Sequence, residues 1–420
     1  MKVQRPRGTN DITPDRSPLW RFLRDGFQSV CDRYAYGQVD TPIFERSELF
    51  TRAVGEDTDV VSKEMYTFED RKGRSMSLRP EGTAGVVRMV LENGMLHAAG
   101  NLRVAYWGPM FRYDRPQAGR YRQFHQFGVE ALGSASPAMD AETIALLVEV
   151  LRHVGFADTE VMLGSVGDAC CRPAYLDEVL RPALLDLGDQ LCETCRTRTK
   201  TNPMRVFDCK VKDCIKVLAD APRPMDHLCE ECDAHQTRVE ELLRDANIPF
   251  RRESALVRGL DYYTRTVFEV HYPALGAQSA LGGGGRYDRL VGQLGGPSTP
   301  AVGFSAGIER ILLAVEAEKT VDSSELKGRG AYLVLLDAQG EAAASRVAAS
   351  LRELIPVEVD YSGRSMKAQL KTSNARGVRF ALILGDEELA KASVTVKDLD
   401  SGEQVTLPEL ELKEFIRALA

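Results

Sequence analysis

Five segments of this 420-residue chain gather side chains able to act on a charged substrate. The richest is FRYDRPQAGRYRQFHQFGVE, Phe111–Glu130, in which Arg112, Arg115, Arg120 and Arg122 crowd a stretch short of acids. A guanidinium fork meets phosphate or carboxylate oxygens two at a time, so such a cluster suits a polyphosphate. A solvated hairpin tip would have the same composition. Gln126 and Glu130, set in the apolar run that follows, favour a site, because a buried amide or carboxyl costs free energy unless it meets a partner.

The other four segments are weaker taken singly. LRPEGT, Leu78–Thr83, presents Glu81 and Thr83 after a strand-like run, yet Pro-Glu-Gly also makes an ordinary turn. VRGLDYYTRTVFEV places Arg258 beside Tyr262 and Tyr263. Successive strand residues face opposite sides, so at most one of the two rings is expected in the core, and half-exposed stacking is the alternative. LGGGGRYDRLV lets backbone approach a ligand closely through Gly282–Gly285, although tight turns use glycine too. GFSAGIERILL offers small residues and then a helix whose first turn holds Glu309 and Arg310. A flat ring could lie against that backbone with Arg310 stacked over it and reaching a terminal phosphate. A packed strand–helix junction reads the same way.

Cysteine and charge add two further signals. Eight of the nine cysteines fall between 170 and 245, and the C-x-x-C pairs Cys192–Cys195 and Cys229–Cys232 predict one tetrahedral Zn²⁺ site, with Cys209 and Cys214 between them. His227 and His235 are alternative ligands, Cys170 and Cys171 are expected to pack, and idle reduced thiols are the competing reading. Structural zinc would explain how so small and polar an insert becomes stable. From Arg196 to Lys216 there are seven basic and two acidic residues, which suggests that the insert touches nucleic acid. From Tyr361 to Phe380 there are five basic residues (Arg364, Lys367, Lys371, Arg376, Arg379) and no acid, within a chain of net charge −7. That is a local footprint for a phosphate backbone, or else a solvated helix face.

The elements that must carry these groups are legible from periodicity. A hydrophobic share of 44% and a charged share of 27% describe a folded globular chain, too long for one core. Helical spacing runs from Leu19 to Tyr34 and from Ala138 to Val154, with a strand–loop–strand pattern from Leu102 to Gly133. Residues 1–169 and 246–320 read as two parts of one α+β domain, interrupted at 170–245 by a small helical insertion with its own core. A polar linker spans 321–330, and 331–420 alternates β-α-β-α-β as a compact α/β domain. The amino terminus lacks an apolar leader core and no stretch approaches the ~18 apolar residues of a membrane span, so a cytoplasmic protein is expected.

The order and co-occurrence of these segments resemble histidyl-tRNA synthetases, a family of class II aminoacyl-tRNA synthetases. VRGLDYYTRTVFE and LGGGGRYD are similar to the two histidine-family signatures. FRYDRP and GFSAGIER resemble the second and third class II motifs, and YGQVDTPIFERSELF the first, which in the family builds a homodimer interface. The resemblance implies an antiparallel sheet flanked by helices with a C-terminal anticodon-binding domain, and activation of L-histidine by ATP, with Mg²⁺, before transfer to tRNA(His). It implies that Arg112 and Arg258 serve catalysis at the α-phosphate. Glu81, Thr83, Arg112, Gln126, Glu130, Arg258, Tyr262, Tyr263 and Tyr287 would bind histidine, and Arg112, Arg120, Glu309 and Arg310 would bind ATP. Arg115, Gln117 and Arg122 would meet the tRNA acceptor end, and Arg364, Lys367 and Lys371 the anticodon arm. The regulatory paralogue of ATP phosphoribosyltransferase, which binds histidine without charging tRNA, is the rival reading. Prolyl and threonyl enzymes, which share a related C-terminal domain, are a second.

Overall fold

Leu19, Leu23, Phe27 and Val30 repeat at the spacing of one helical face, and they are buried along the helix Ser17–Arg33. It packs on the helix Pro137–His153. Gly26 makes the close approach possible, since a Cβ there would stand 2.0 Å from the His153 ring. Ser136 starts the second helix by accepting from Ala138 N through its hydroxyl at 3.3 Å. The structure, a computed structural model, describes residues 3–56, 58–96, 100–117, 119–322, 326 and 330–419. Most of the linker expected over 321–330 lies outside them.

The chain falls into two compact units, Met1–Val321 and Asp322–Ala420. In chain order the first carries β1 (Gly37–Gln38), β2 (Phe44–Arg46), β3 (Thr67–Glu69), β4 (Ser75–Leu78), β5 (Leu102–Phe111), β6 (Gln123–Leu132), β7 (Glu160–Ser165), β8 (Phe250–Arg252), β9 (Thr264–His271), β10 (Ala280–Arg286) and β11 (Ala301–Gly307). Its main sheet has eight strands in the order β1-β5-β6-β11-β10-β9-β7-β8. The five central strands from β5 to β9 run antiparallel, as does β7 beside β9. β2, β4 and β3 form a separate small sheet. A fully buried ion pair, Arg286 with Asp140, ties β10 to the long helix, and Arg286 Nη1 also donates to Ser134 O at 2.9 Å.

Residues 170–245 form short helices and turns before the helix Glu230–Asp245. They lack the separate core expected of them: Leu180, Leu184, Cys195, Val206 and Cys214 join one hydrophobic cluster with Phe50, Val54, Tyr262 and Tyr287. An insert this polar has too few apolar residues to close a core alone, so it borrows the sheet's.

The second unit is a five-stranded mixed sheet, β13-β12-β14-β15-β16, from β12 (Ala331–Leu335), β13 (Val357–Asp360), β14 (Phe380–Leu384), β15 (Ser393–Asp398) and β16 (Gln404–Pro408). β12, β13 and β14 are parallel, as the β-α-β-α-β pattern predicts. The antiparallel β15–β16 hairpin goes beyond that pattern. Its alternating SVTVKD and QVTLP runs bury Val394, Val396 and Leu407 on one face, over which the helix Glu409–Leu419 lays Leu412 and Ile416.

Candidate active site

Residues of β6, β9, β10 and β11, with segments beside them, line a cavity of about 510 Å³. Behind its surface stands Glu130 on β6, which lies opposite Val104 of β5 and Gly303 of β11. A Cβ on Gly303 would sit 1.9 Å from Glu130 Oε2, so only glycine admits the carboxyl there. Thr83 Oγ1 donates to Oε1 at 2.7 Å and the Tyr287 hydroxyl donates to Oε2 at 2.6 Å. Burial pushes the Glu130 carboxyl up to about 8 despite those two donors. The buried Tyr106 ring needs Gly82 and Gly128 against it, where a Cβ would approach within 2.5 and 2.4 Å.

Glu81 has two duties. Its Oε2 accepts from Thr83 N at 2.7 Å and its Oε1 from Ala84 N at 2.9 Å, which caps the helix Thr83–Glu92. The same side chain lines the cavity, and burial raises its carboxyl above the usual range. Gln126 donates weakly to Ser305 Oγ at 3.4 Å, and its buried Oε1 has no hydrogen-bond partner among the described residues. That leaves an acceptor for a ligand N–H.

Tyr262 and Tyr263 correct the one-ring-per-face expectation. Both precede β9, in the turn that leads into it. A turn does not alternate its side chains, so both rings are buried on the cavity, 4.8 Å apart, with Tyr262 5.6 Å from Tyr287.

Arginines from separate segments line the rest. Arg112 donates through Nε to Pro80 O at 2.8 Å, and its guanidinium lies 5.4 Å from the centre of the Phe124 ring. Arg258 is paired with Glu269, whose second oxygen stands 3.0 Å from His271 Nε2. Burial opposes the Glu269 charge, but His271 and Arg258 outweigh it and hold the carboxyl below its ordinary value. Gly283 leaves room for the Arg258 guanidinium, 3.1 Å from where a Cβ would be. Arg310 and Arg120 complete the rim, Arg120 standing 3.2 Å from Asp114.

Of the residues read from the sequence, Glu81, Arg112, Arg120, Gln126, Arg258, Tyr262, Tyr263 and Arg310 therefore converge on the cavity surface. Thr83, Glu130 and Tyr287 stand behind it as a hydrogen-bonded set. Glu309 is turned away, accepting from His125 N at 2.9 Å and facing the His125 ring at 2.8 Å. Arg115 and Gln117 are exposed on the β5–β6 loop, while Arg122 lies 3.9 Å above the Tyr113 ring.

The sequence did not single out Glu269 or the insertion residues Arg198, Arg205, Asp208 and Lys210, all on the cavity. Glu269 and His271, two apart on an apolar strand, were a readable signal of a shared polar face. For the insertion the basic count was the only hint. Arg205 forms an ion pair with Asp208 at 3.0 Å and donates to Gly259 O at 3.1 Å, the residue after Arg258.

In the second unit, Arg364 meets Asp360 at 2.8 Å, Arg376 meets Glu358 at 3.3 Å and Arg379 meets Asp398 at 3.3 Å. Acids on neighbouring strands thus offset three of the five charges that the sequence showed as one basic run. Lys367 and Lys371 are exposed on the helix Met366–Arg376.

The single zinc set expected from Cys192, Cys195, Cys229 and Cys232 is not assembled. Cys192 and Cys195 meet Cys209 and Cys214, whereas Cys229 and Cys232 meet Cys171 and Asp168, the ligand atoms of each group lying within 4.8 Å of one another. The pairs open different helices, Glu193–Thr201 and Glu230–Asp245, and the chain between them folds back on the first pair alone. Cys171 therefore belongs to a cluster and not to packing. His235 is buried against Asp140 at 3.3 Å, and His227 stacks on Tyr175 at 5.4 Å, so neither joins a cluster.

A family model described as histidyl-tRNA synthetase matches residues 8–311, and one described as an anticodon binding domain matches 331–419. The chain is 46% identical over 420 residues to the histidine–tRNA ligase of Halothermothrix orenii, covering 100% of both chains. It is 46% identical over 411 residues to that of Thermotoga maritima, covering 97% of this chain and 96% of the relative. The crystal structure of apo S. aureus histidyl-tRNA synthetase is similar with a TM-score of 0.82 at 36% identity, covering 99% of each chain. No helix among the described residues is long and apolar enough to cross a membrane.

Proposed function

The chain belongs to the histidyl-tRNA synthetase family, and from that membership we propose how its residues divide the work of activating L-histidine with ATP and charging tRNA(His). The observation that carries the reading is one cavity in which a buried carboxyl pocket adjoins arginines drawn from separate segments. The pocket end, Glu130 with Tyr263, holds the imidazole, with Tyr262 and Tyr287 lining the same pocket. Glu81, Thr83 and Gln126 hold the α-amino group, whose N–H donors answer the Gln126 Oε1 that has no partner among the described residues. Buried partners that must be satisfied reject other amino acids, a discrimination of up to ~10⁴-fold.

The histidine carboxylate attacks the α-phosphorus in line and pyrophosphate leaves. Arg112 and Arg258 meet the charge that develops on the phosphoryl oxygens, and Glu269 keeps Arg258 aimed. Arg310 covers the adenine and the terminal phosphate, with Arg120 beside it. The terminal ribose hydroxyl of the tRNA then attacks the acyl-adenylate carbonyl and AMP departs. Arg115, Gln117 and Arg122 on the β5–β6 loop receive the acceptor end. Among the lining carboxylates, Asp59, Asp114, Asp208 and Glu269 each face a cation already. Mg²⁺ would come with the triphosphate and supply neutralisation of phosphate charge there.

Cys192, Cys195, Cys209 and Cys214 fit a structural Zn²⁺. Four thiolates at a Zn–S distance of ~2.3 Å stand ~3.8 Å apart at the corners of a tetrahedron, and Cys192 Sγ is 3.8 Å from Cys209 Sγ. Residues 1–169 and 246–320 are the catalytic domain, 170–245 its insertion, and 331–420 the anticodon-binding domain, with Arg364, Lys367 and Lys371 on the nucleic acid. Ile43, Phe44 and Phe68, large apolar residues exposed around the small sheet, support a homodimer through the 36–50 segment. The cytoplasm is the compartment. Similarity over the full length, with Arg112, Arg258 and Arg310 all on the cavity, disfavours the regulatory paralogue.

Amino-acid-dependent ATP–pyrophosphate exchange across all twenty amino acids, with aminoacylation of unfractionated tRNA, tests the reading. Exchange with histidine alone and histidine-charged tRNA is the expected result. Thermal stabilisation by histidine with no exchange would return the regulatory reading.

A further inference from the structure

We infer that the neck of the insertion holds a second structural metal ion, a zinc-class divalent cation bound by the sulfurs of Cys171, Cys229 and Cys232 and by one carboxylate oxygen of Asp168. The four ligand atoms lie within 4.8 Å of one another. Cys171 Sγ is 3.9 Å from Cys232 Sγ, near the ~3.8 Å edge of a zinc–thiolate tetrahedron and far from the ~2.05 Å of a disulfide bond.

Asp168 is oriented as a ligand. Its Oδ1 faces Cys171 Sγ at 3.8 Å and accepts from Cys170 N at 2.9 Å, while its Oδ2 is held by Arg265 Nη2 at 3.1 Å and Nε at 3.3 Å. A cation on the outer oxygen that leaves the inner one toward the sulfurs is how second-layer contacts fix a metal-bound carboxylate. Arg265 also offsets part of the excess negative charge of three thiolates and a carboxylate around a divalent ion.

The backbone is shaped to the cluster. Gly167 has φ +64, and a Cβ on it would lie 2.7 Å from Cys171 Sγ. Arg265 adopts φ 50, a left-handed conformation unusual for a residue with a side chain. The cluster is also built like the first one. Cys229 directly precedes its helix and Cys232 lies in the first turn, as Cys192 and Cys195 do in theirs, where helix N–H groups favour thiolates.

The site joins the chain entering the insertion to the chain leaving it. Arg172, next to Cys171, donates to Val166 O at 2.9 Å, to Gly167 O at 2.9 Å and to the carbonyl of Tyr263. Metal at the neck therefore holds both the tyrosine turn and the insertion that brings Arg205 to the cavity.

The test is metal content by mass spectrometry of the full-length protein, purified under reducing conditions after growth with zinc. Two zinc ions per chain are expected, falling to one in Cys229→Ser and, separately, to one in Cys209→Ser. Asp168→Asn provides a milder change if Cys229→Ser does not fold; its cobalt-loaded form should lose the absorption of the three-thiolate site and keep that of the four-thiolate site. A content unchanged by Cys229→Ser and Asp168→Asn, or a Cys171–Cys232 disulfide found in the reduced preparation, overturns the inference. Loss of the first site alone, seen as one ion in the parent that Cys209→Ser leaves intact, refutes the earlier zinc assignment and not this one.

Discussion

In the cavity, Arg112, Arg258 and Arg310 come from distant segments and stand half-buried. In the C-terminal unit, Arg364, Lys367, Lys371 and Arg376 come from one stretch of chain and stand exposed. Two charges 4 Å apart interact by ~1 kcal/mol in water and by ~4 kcal/mol at the effective dielectric of a partly buried site. The same residue types therefore act strongly and directionally in the first region, weakly and additively in the second. Sequence shows a local basic cluster in each region, 111–130 and 361–380, and does not tell which of the two is desolvated.

The largest effect that would sharpen this contrast belongs to Arg258→Ala. Histidine-dependent pyrophosphate exchange should fall by ~10³-fold or more, since a donor to developing charge is lost and Glu269 keeps only His271. Circular dichroism should show the fold retained. Exchange within tenfold of the parent would break the comparison at its root.

Glu130→Gln comes next, with kcat/KM for histidine expected to drop ~10²-fold as one of the two carboxyl oxygens that accept from Thr83 and Tyr287 becomes an amide nitrogen. Its pH signature is separate. The folded carboxyl titrates at about 8 against an ordinary 4.5, so between those values the folded state carries a proton that the unfolded state has released. Stability from this group is greatest below 4.5 and falls as pH rises through the window, by up to ~1.4 kcal/mol per pH unit. The parent's melting temperature should therefore decline more steeply from pH 5 to 8 than that of Glu130→Gln, and parallel curves would count against the buried-carboxyl reading.

Arg205→Ala should lower exchange by ~10-fold, through loss of the contact to Gly259 beside Arg258. Unchanged exchange would confine the insertion's basic residues to tRNA. The smallest effect is that of Lys367→Ala with Lys371→Ala. Exchange should be untouched, KM for tRNA should rise several-fold, and the slope of log affinity against log salt should fall by ~1 to 2. A collapse of aminoacylation like that of Arg258→Ala would erase the distinction between the regions.

The strand–loop–strand of 102–133 was legible because period-two apolar alternation survives in local sequence. The helices at 17 and 137 were legible because one apolar face repeats every three to four residues. The tyrosine pair was misjudged because strand alternation was applied to a turn one residue too early. The cysteines were misassigned because spacing records which thiols lie near each other in sequence, and the fold set Cys209 and Cys214 beside the first pair and Asp168 and Cys171 beside the second.

By itself the sequence determined the class of chemistry, the order of the elements and most of the side chains that meet in the cavity, since local pattern and residue type encode these. Only the tertiary structure decided which groups are desolvated, which arginines are already matched by acids and which thiols share a site. Those properties depend on distances between residues far apart in the chain: Gly303 stands beside Glu130, and Asp398 beside Arg379, only after the sheets have formed.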